Sequence, residues 1–227
     1  MANGDPLRLV VFDMDGTLID SQHHIIASMT RAFSANGLPA PDPAAVRAGV
    51  GLPLEAIFRS LLPGHGPALY GKLAEDYRDD HRSRLDRGER QEPLMPGARE
   101  VIERLDAAGY LIALATGKGT RGARHALEVH GLIDYFVTIQ TADTAPGKPH
   151  PGMLLQAMDE AGVEASATIM VGDTVYDLET ARNASVASVA VTWGYHERDA
   201  LYSYGADALI DHFDDLDAAV ERLLKNG

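Results

Sequence analysis

The sequence predicts an α/β fold in which a parallel β-sheet carries helices on both faces and an all-helical segment is inserted after the first strand. Three observations lead to this prediction. Short apolar runs alternate with stretches of helical periodicity, which is typical of a parallel sheet. One long segment contains helical patterns but no strand pattern. The polar residues that could carry chemistry follow the apolar runs, where the strands of such a sheet end.

The predicted strands are apolar at most successive positions, as expected for strands that helices cover on both faces. They comprise residues 7–13, 110–116, 135–140, 168–173, 188–192 and 208–210. Between them, apolar residues recur at helical spacing, which predicts helices over residues 97–108, 120–130, 151–161, 175–183 and 213–224. Three of these helices are followed by Gly109, Gly131 and Gly162, at the position where helices commonly end.

The segment from residue 21 to residue 92 shows no convincing strand. Its helical stretches, residues 24–36, 54–62 and 67–87, are separated by Gly-Leu-Pro and Pro-Gly-His-Gly turns. A helical block placed directly after the first strand predicts a cap inserted over the carboxyl edge of the sheet. We therefore expect a core formed by residues 1–20 and 93–227 and a helical cap domain formed by residues 21–92.

The composition restricts the class of protein. The chain has 227 residues, enough to bury a core, and it has no cysteine, which excludes disulfides, thiolate metal sites and cysteine nucleophiles. A formal net charge of −13 argues against a nucleic-acid-binding surface, which needs clustered Lys and Arg. No apolar run approaches the roughly 18 residues of a membrane span, and residues 1–6 lack the features of a signal peptide. We expect a cytoplasmic protein whose partner is a small molecule, with no nucleic-acid or membrane partner.

Polar residues at the predicted strand ends and in one loop indicate the chemistry. They are Asp13 and Asp15 after the first strand, Thr116-Gly117-Lys118 after the second, Lys148 in a loop before a helix, and Asp173 and Asp177 after the fourth. Because the carboxyl ends of parallel strands meet at one edge, we expect these side chains to lie together. Three carboxylates at one place would repel each other unless a divalent cation held them, and oxygen ligands favour Mg²⁺. A lysine and a Thr-Gly turn before a helix provide what a phosphate group needs.

Other interpretations of these residues fit less well. The simplest is an acidic turn in which Asp15-Gly16 only ends a strand. A calcium loop would require glycine at Leu18, and a Walker A loop would require Ser or Thr directly after Lys118 or Lys148. The chain contains neither a His-Glu-x-x-His zinc motif nor a Gly-x-Ser-x-Gly nucleophile motif.

Four segments resemble, in order, the four motifs of the haloacid dehalogenase superfamily. They are Asp13-Met14-Asp15-Gly16-Thr17-Leu18-Ile19-Asp20-Ser21, Thr116-Gly117, Gly147-Lys148-Pro149 and Gly172-Asp173-Thr174-Val175-Tyr176-Asp177. The resemblance covers essentially the whole chain and implies a Rossmann-like parallel sheet with a C1-type cap over residues 21–92. The segment from Gly147 through Trp193-Gly194-Tyr195-His196 is most similar to bacterial phosphoglycolate-phosphatase-like members of this superfamily.

The resemblance also implies a two-step phosphoryl transfer assisted by Mg²⁺. Asp13 would attack phosphorus and form an aspartyl-phosphate. Asp15 would act first as general acid and then as general base. The metal would be bound by Asp13, the backbone carbonyl of Asp15, and Asp173.

The resemblance also implies roles for most of the remaining motif residues. Thr116, the Gly117 amide and Lys148 would hold the phosphoryl oxygens. Asp177 would support Lys148 or a metal-bound water. Thr17 either caps a turn or joins the site, whereas Lys118 is expected to face solvent.

Three residues outside the motifs are weaker candidates. Arg47, near a Gly-Val-Gly turn between cap helices, could reach a substrate carboxylate, although a surface position is the simpler expectation. The same expectation applies to His23 and His150.

The predicted function is hydrolysis of a small phosphorylated metabolite similar to phosphoglycolate by a Mg²⁺-dependent phosphatase. Asp15 disfavours a dehalogenase, because those enzymes lack a second acid at this position. A phosphomutase of the β-phosphoglucomutase type has all four motifs, so this alternative stays open. A non-catalytic phosphate-binding module is disfavoured because the chain keeps the nucleophile and the metal ligands. We expect a monomer or a homodimer.

Overall fold

The computed structural model describes residues 7–88 and 92–226. Residues 1–6, for which the absence of a signal peptide was predicted, lie outside the described residues. So do residues 89–91, near the predicted end of the cap.

A six-stranded parallel sheet forms the centre of the fold, in the order β3-β2-β1-β4-β5-β6. Its strands are β1 (Leu9–Phe12), β2 (Leu111–Thr116), β3 (Phe136–Thr141), β4 (Thr168–Gly172), β5 (Ala187–Val191) and β6 (Ala208–Ile210). All six predicted strands are confirmed, with ends that differ by two residues or fewer. The chain fills one side of β1 with β2 and β3 and then crosses to β4 on the other side. Strand order therefore reverses at β1, and ligands of such sheets bind at this point.

The helices comprise, in chain order, α1 (Gln22–Ala35), α2 (Pro43–Gly49), α3 (Leu54–Leu61), α4 (Pro67–Asp86), α5 (Ala98–Ala107), α6 (Thr120–Val129), α7 (Gly152–Ala161), α8 (Val175–Asn183), α9 (Arg198–Tyr204) and α10 (Leu216–Asn226). In the described parts of the chain, no helix has both the length and the apolar character needed to cross a membrane.

The side chains of β1 alternate between two apolar layers. Val10 and Phe12 belong to the layer under α5, α6 and α10, whereas Leu9 and Val11 belong to the layer under α7 and α8. All four are fully buried, and burial of such side chains contributes about 1.5–3 kcal/mol each. The predicted α/β fold with helices on both faces of the sheet is thus confirmed, and β1 lies at its centre.

Helices α1 to α4 pack around an apolar cluster of their own. Its largest members include Phe33 of α1 and Phe58 of α3, whose ring centroids are 6.1 Å apart. The segments that lead to and from these helices run side by side, because Ile19 and Leu94 form an antiparallel bridge. The amide of Asp20 also donates to the carbonyl of Pro93 at 2.9 Å.

Helices α2 and α9 were not predicted from the sequence. Helix α2 has a clear start, since the Asp42 side chain accepts a hydrogen bond from the Ala44 amide and Pro43 occupies the first helical position. Both helices have seven residues, too few to show apolar periodicity. The last helix begins at Leu216 rather than at residue 213, because Phe213–Asp215 forms a 3₁₀ turn.

Candidate active site

Asp13 directly follows β1, and its side chain is buried against Lys148. The Asp13 amide donates a hydrogen bond to the Val171 carbonyl at 2.9 Å, which holds the backbone against β4. The Lys148 Nζ lies 2.8 Å from Asp13 Oδ1 and 2.6 Å from Asp177 Oδ1. All three side chains are buried. One buried ammonium group therefore forms ion pairs with two buried carboxylates.

Burial sets the protonation preferences of this group. It raises the pKa of Asp13 to about 7, although Lys148 acts in the opposite direction. Burial would lower the pKa of Lys148, but Asp13 and Asp177 outweigh it and raise the value, which keeps the lysine charged. Asp177 is fixed by a capping box at the start of α8, where the amide and hydroxyl of Thr174 donate to its Oδ2 at 3.0 and 2.7 Å.

Asp173 is held by contacts that come from four different positions of the chain. Its Oδ1 accepts a hydrogen bond from the Thr17 hydroxyl at 2.8 Å, and its Oδ2 accepts one from the Tyr195 amide at 2.8 Å. A Cβ added at Gly16 or Gly194 would lie only 2.4 or 2.3 Å from Oδ2. Only glycine therefore lets these two backbones approach so closely. Burial raises the pKa of Asp173 well above its usual value, and the charges of Asp177 and Asp13 add to this effect.

The carboxylates of Asp13, Asp173 and Asp177 offer oxygens that all lie within 4.8 Å of one another. If all three were ionised, their three negative charges would face the single positive charge of Lys148, and a divalent cation would neutralise the remainder. Oxygen-only donors suit a hard cation such as Mg²⁺. The residues therefore fit the predicted metal. The sequence had assigned Asp177 a supporting role, whereas the structure brings its carboxylate into the same group.

The Asp15 carboxylate is buried, lies outside this group and pairs with Lys118. The Lys118 Nζ lies 3.0 Å from Asp15 Oδ1 and 3.6 Å from Glu92 Oε2. Burial would raise the pKa of Asp15, but Lys118 outweighs it, and the net effect lowers the pKa. The expectation that Lys118 faces solvent is wrong, because its side chain is only 8% exposed. Its two partners are distant in sequence, so no local pattern could reveal the ion pairs.

Thr116 and Gly117 lie where β2 ends, just before α6. The buried Thr116 hydroxyl accepts a hydrogen bond from the Lys118 amide at 3.2 Å. Both residues line a cavity of about 340 Å³ that is also lined by Asp13 and Asp15. The predicted phosphate-binding turn and the predicted nucleophile thus face one space.

The opposite wall of this cavity comes from α1, α3, α4 and the loop between α2 and α3. Lining residues include Met29, Ile57, Tyr77 and His81. The inserted helices also contact the sheet side directly, because the Ala48 carbonyl accepts hydrogen bonds from the Tyr176 hydroxyl at 3.2 Å and from His196 Nε2 at 3.1 Å. The cavity therefore lies between the sheet edge and the inserted helices.

The weaker sequence candidates lie elsewhere or have local roles. Arg47 is half-buried in α2 and does not line the cavity. His23 is exposed on α1. The exposed His150 accepts a hydrogen bond from the Gly152 amide at 3.0 Å, where α7 begins. Thr17, which the sequence left between a turn and the site, is at the site through its bond to Asp173.

Sequence reasoning missed Tyr77, His81 and Glu92, which surround Lys118 or the cavity. Burial and the charge of Lys118 lower the pKa of His81 to about 4, so its imidazole is neutral at pH 7. The spacing of Tyr77 and His81, four residues apart on α4, places them on one helix face. That spacing was visible in the sequence, but nothing indicated that this face meets the sheet edge.

A family model described as haloacid dehalogenase-like hydrolase matches residues 10–191. The chain belongs to this family. "Probable phosphatase IndB" of Dickeya dadantii is 37% identical over 220 residues, which cover 96% of this chain and 95% of that protein. A phosphoglycolate phosphatase of Vibrio parahaemolyticus is 32% identical over 216 residues, which cover 92% and 94% of the two chains.

Solved structures of haloacid dehalogenase-like hydrolases share the fold. One from Streptococcus pneumoniae has a TM-score of 0.82 and 26% identity, and the match covers 93% of this chain and 97% of that one. A structure described as a predicted phosphatase from Clostridium acetobutylicum has a TM-score of 0.85 and 24% identity, with 97% and 100% covered. The predicted family, fold class and enzyme class, a phosphatase of the haloacid dehalogenase-like hydrolases, are thus confirmed.

Proposed function

We propose that the chain is a Mg²⁺-dependent phosphatase that hydrolyses a small phosphomonoester through an aspartyl-phosphate on Asp13. One observation carries the proposal: the Asp13 carboxylate lines the cavity, 2.8 Å from a buried lysine and within 4.8 Å of two further carboxylates. A surface acid or a simple turn would not be surrounded in this way. The same cavity is lined by Thr116 and Gly117, which suit a phosphoryl group.

In the first step, an Asp13 oxygen attacks phosphorus while the bond from phosphorus to the ester oxygen breaks. The Lys148 ammonium, the Thr116 hydroxyl and the Gly117 amide hold the phosphoryl oxygens, over which the transition-state charge is spread. Asp13, Asp173 and the Asp15 carbonyl would hold Mg²⁺, which when bound would supply charge neutralisation for attack by one anion on another. Asp177 holds Lys148 in place, 2.6 Å away.

Asp15 handles the protons in both steps. In the first, it donates a proton to the departing ester oxygen, which leaves as an alcohol. In the second, it takes a proton from a water whose oxygen attacks phosphorus, and inorganic phosphate is released from Asp13. The pairing with Lys118 favours the carboxylate form that the second step needs. An incoming phosphate dianion raises the pKa of Asp15 and so favours the acid form that the first step needs.

The inserted helices would act as a cap domain comprising residues 21–92, over a core comprising residues 1–20 and 93–227. Closure would exclude water during the first step, and opening would admit it for the second. The substrate would be a small phosphorylated metabolite, with phosphoglycolate suggested by the names of the relatives. Cytoplasmic location and a monomeric or homodimeric state belong to the same proposal.

The direct test is release of inorganic phosphate from a substrate panel, with Mg²⁺ or with EDTA. The panel contains 2-phosphoglycolate, β-glucose 1-phosphate, a nucleoside monophosphate and p-nitrophenyl phosphate. We expect metal-dependent release that Asp13→Asn abolishes. The matched control is Asp159→Asn, an exposed residue of α7, which should keep wild-type activity.

Each outcome distinguishes a different reading. Preference for 2-phosphoglycolate would support the proposed substrate. Conversion of β-glucose 1-phosphate to the 6-phosphate without phosphate release would instead mean a phosphomutase. Metal-dependent release that survives in Asp13→Asn would contradict the mechanism, and no reaction with any compound would contradict the proposal as a whole.

A further inference from the structure

Lys118 and Glu92 are ionisable residues with little exposure, and in the two steps described above neither acts directly on phosphorus, on the ester oxygen or on the attacking water. Their side chains are 8% and 11% exposed and form an ion pair with each other. Lys118 is 3.0 Å from Asp15 Oδ1. Burial works against the charge of Lys118, but Asp15 and Glu92 raise its pKa, so it remains an ammonium.

Glu92 is anchored from three sides. Its Oε1 lies 3.1 Å from His24 Nδ1 on α1, and its Oε2 lies 3.6 Å from Lys118 Nζ. Its backbone carbonyl accepts a hydrogen bond from His130 Nε2 at 2.8 Å, directly after α6. Glu92 also precedes Pro93, whose carbonyl pairs with the Asp20 amide where the two linking segments run side by side.

These contacts form a continuous chain, Asp15–Lys118–Glu92–His24, from the sheet edge to the first inserted helix. Asp15 belongs to the turn after β1, Lys118 to the loop after β2, and Glu92 to the segment that returns from the inserted helices. A carboxyl group that must meet a departing oxygen has to be held in one orientation. A displacement of about 1 Å at a reacting group costs about 100-fold in rate.

We propose that Lys118 is a positioning residue that holds the Asp15 carboxyl group toward the leaving-group oxygen, and that Glu92 holds Lys118 in turn. The inference rests on the proposed function, because it assumes that Asp15 is the general acid. The loop after β2, which carries Lys118, and the segment that returns from the inserted helices, which carries Glu92, would then together hold the Asp15 carboxyl group in place. If the ion pair were purely structural, its loss would destabilise the fold and would lower the rate by the same factor with every substrate.

Leaving groups of different basicity separate these two roles. Ethyl phosphate releases a basic alkoxide that needs a proton from the acid, whereas p-nitrophenyl phosphate releases a stable phenolate that does not. The rate of alcohol or phenol release in a single turnover reports the first step alone. The variants are Lys118→Met, Lys118→Arg and Glu92→Gln, with Lys225→Met, an exposed lysine of α10, as the matched control.

We expect Lys118→Met to slow ethanol release by about 100-fold and p-nitrophenol release by about threefold or less. Lys118→Arg should recover much of the ethanol rate, since it keeps the charge beside Asp15. Glu92→Gln should slow ethanol release by about 3- to 10-fold and leave p-nitrophenol release unchanged. Lys225→Met should match the wild type with both substrates.

Equal losses with both substrates in Lys118→Met and Glu92→Gln would overturn the proposal, as would unchanged rates with both. If urea unfolding shows that Lys118→Met is not folded, Lys118→Arg and Glu92→Gln decide the question. The quantity compared is again the loss of ethanol release relative to the loss of p-nitrophenol release. A wild-type protein that releases neither product with Mg²⁺ would instead refute the proposed function. The two failures are therefore distinguishable.

Discussion

Three glycines allow the effect of backbone strain to be separated from the effect of crowding at Asp173. Gly16 has a φ of +86°, and an added Cβ would lie 2.4 Å from Asp173 Oδ2. Gly194 has a similarly close Asp173 but no positive φ, whereas Gly37 has a φ of +69° with nothing within 4 Å. Substitution of each by alanine therefore tests crowding and strain together, crowding alone, and strain alone.

The expected costs follow from these geometries. Gly37→Ala should lower the free energy of unfolding by about 1 kcal/mol, the strain of a left-handed residue less the gain from a stiffer unfolded chain. Gly194→Ala should cost about 1–3 kcal/mol through overpacking. Gly16→Ala combines the two and should cost about 2–4 kcal/mol. In both crowded variants the Asp173 carboxylate must move, and a 1 Å displacement should lower the turnover number by about 100-fold.

The assay combines urea unfolding, followed by circular dichroism, with Mg²⁺-dependent release of phosphate from p-nitrophenyl phosphate. Gly37→Ala should lose stability and keep its turnover number, whereas Gly16→Ala and Gly194→Ala should lose both. If Gly16→Ala and Gly194→Ala keep the turnover number of Gly37→Ala, close backbone approach does not hold Asp173 in place, and this reasoning is refuted.

Three further predictions concern the buried charges. Thr17→Val should cost the metal-free protein about 1–3 kcal/mol in urea unfolding, because Asp173 loses a hydrogen bond, and Thr17→Ser should restore it. Lys148→Met should cost about 3–5 kcal/mol without metal because it leaves two buried carboxylates unpaired, and it should abolish measurable turnover, unlike Lys225→Met. The raised pKa of Asp13, about 7 against 3.8, stabilises the metal-free fold below about pH 4, and this contribution is lost as the pH rises to about 7. In EDTA, the difference in unfolding free energy between wild type and Asp13→Asn should therefore fall over this range, and a pH-independent difference would contradict it.

The strands and the carboxylates of the site were predictable from the sequence for physical reasons. Each buried strand is a short apolar run, and each acid lies where such a run ends, so parallel pairing alone brings Asp13 and Asp173 to one edge. The resemblance to a known family added the order of the motifs. The long helices of the insert were also visible, because their apolar residues recur at helical spacing.

Other features depend on contacts between distant residues and could not be predicted. From the sequence, Lys118 was expected to lie on the surface. The fold places Asp15 of the turn after β1 and Glu92 of the segment before α5 beside it. The hydrogen bond from the Tyr195 amide to Asp173 depends on the pairing of β4 with β5, which brings these two distant residues together. Helix α2 was missed for a different reason, since its single buried apolar side chain of appreciable size, Val46, gives no periodicity.

The central claim is that Asp13 becomes covalently phosphorylated. The measurement that tests it most directly is a single turnover with excess enzyme, Mg²⁺ and p-nitrophenyl phosphate, quenched in acid and analysed by mass spectrometry of the peptide containing Asp13. We predict a phosphoryl group on Asp13 that appears with p-nitrophenol and then decays as inorganic phosphate is released. Phosphate release with no such adduct at any time, or an adduct on another residue, would contradict the account.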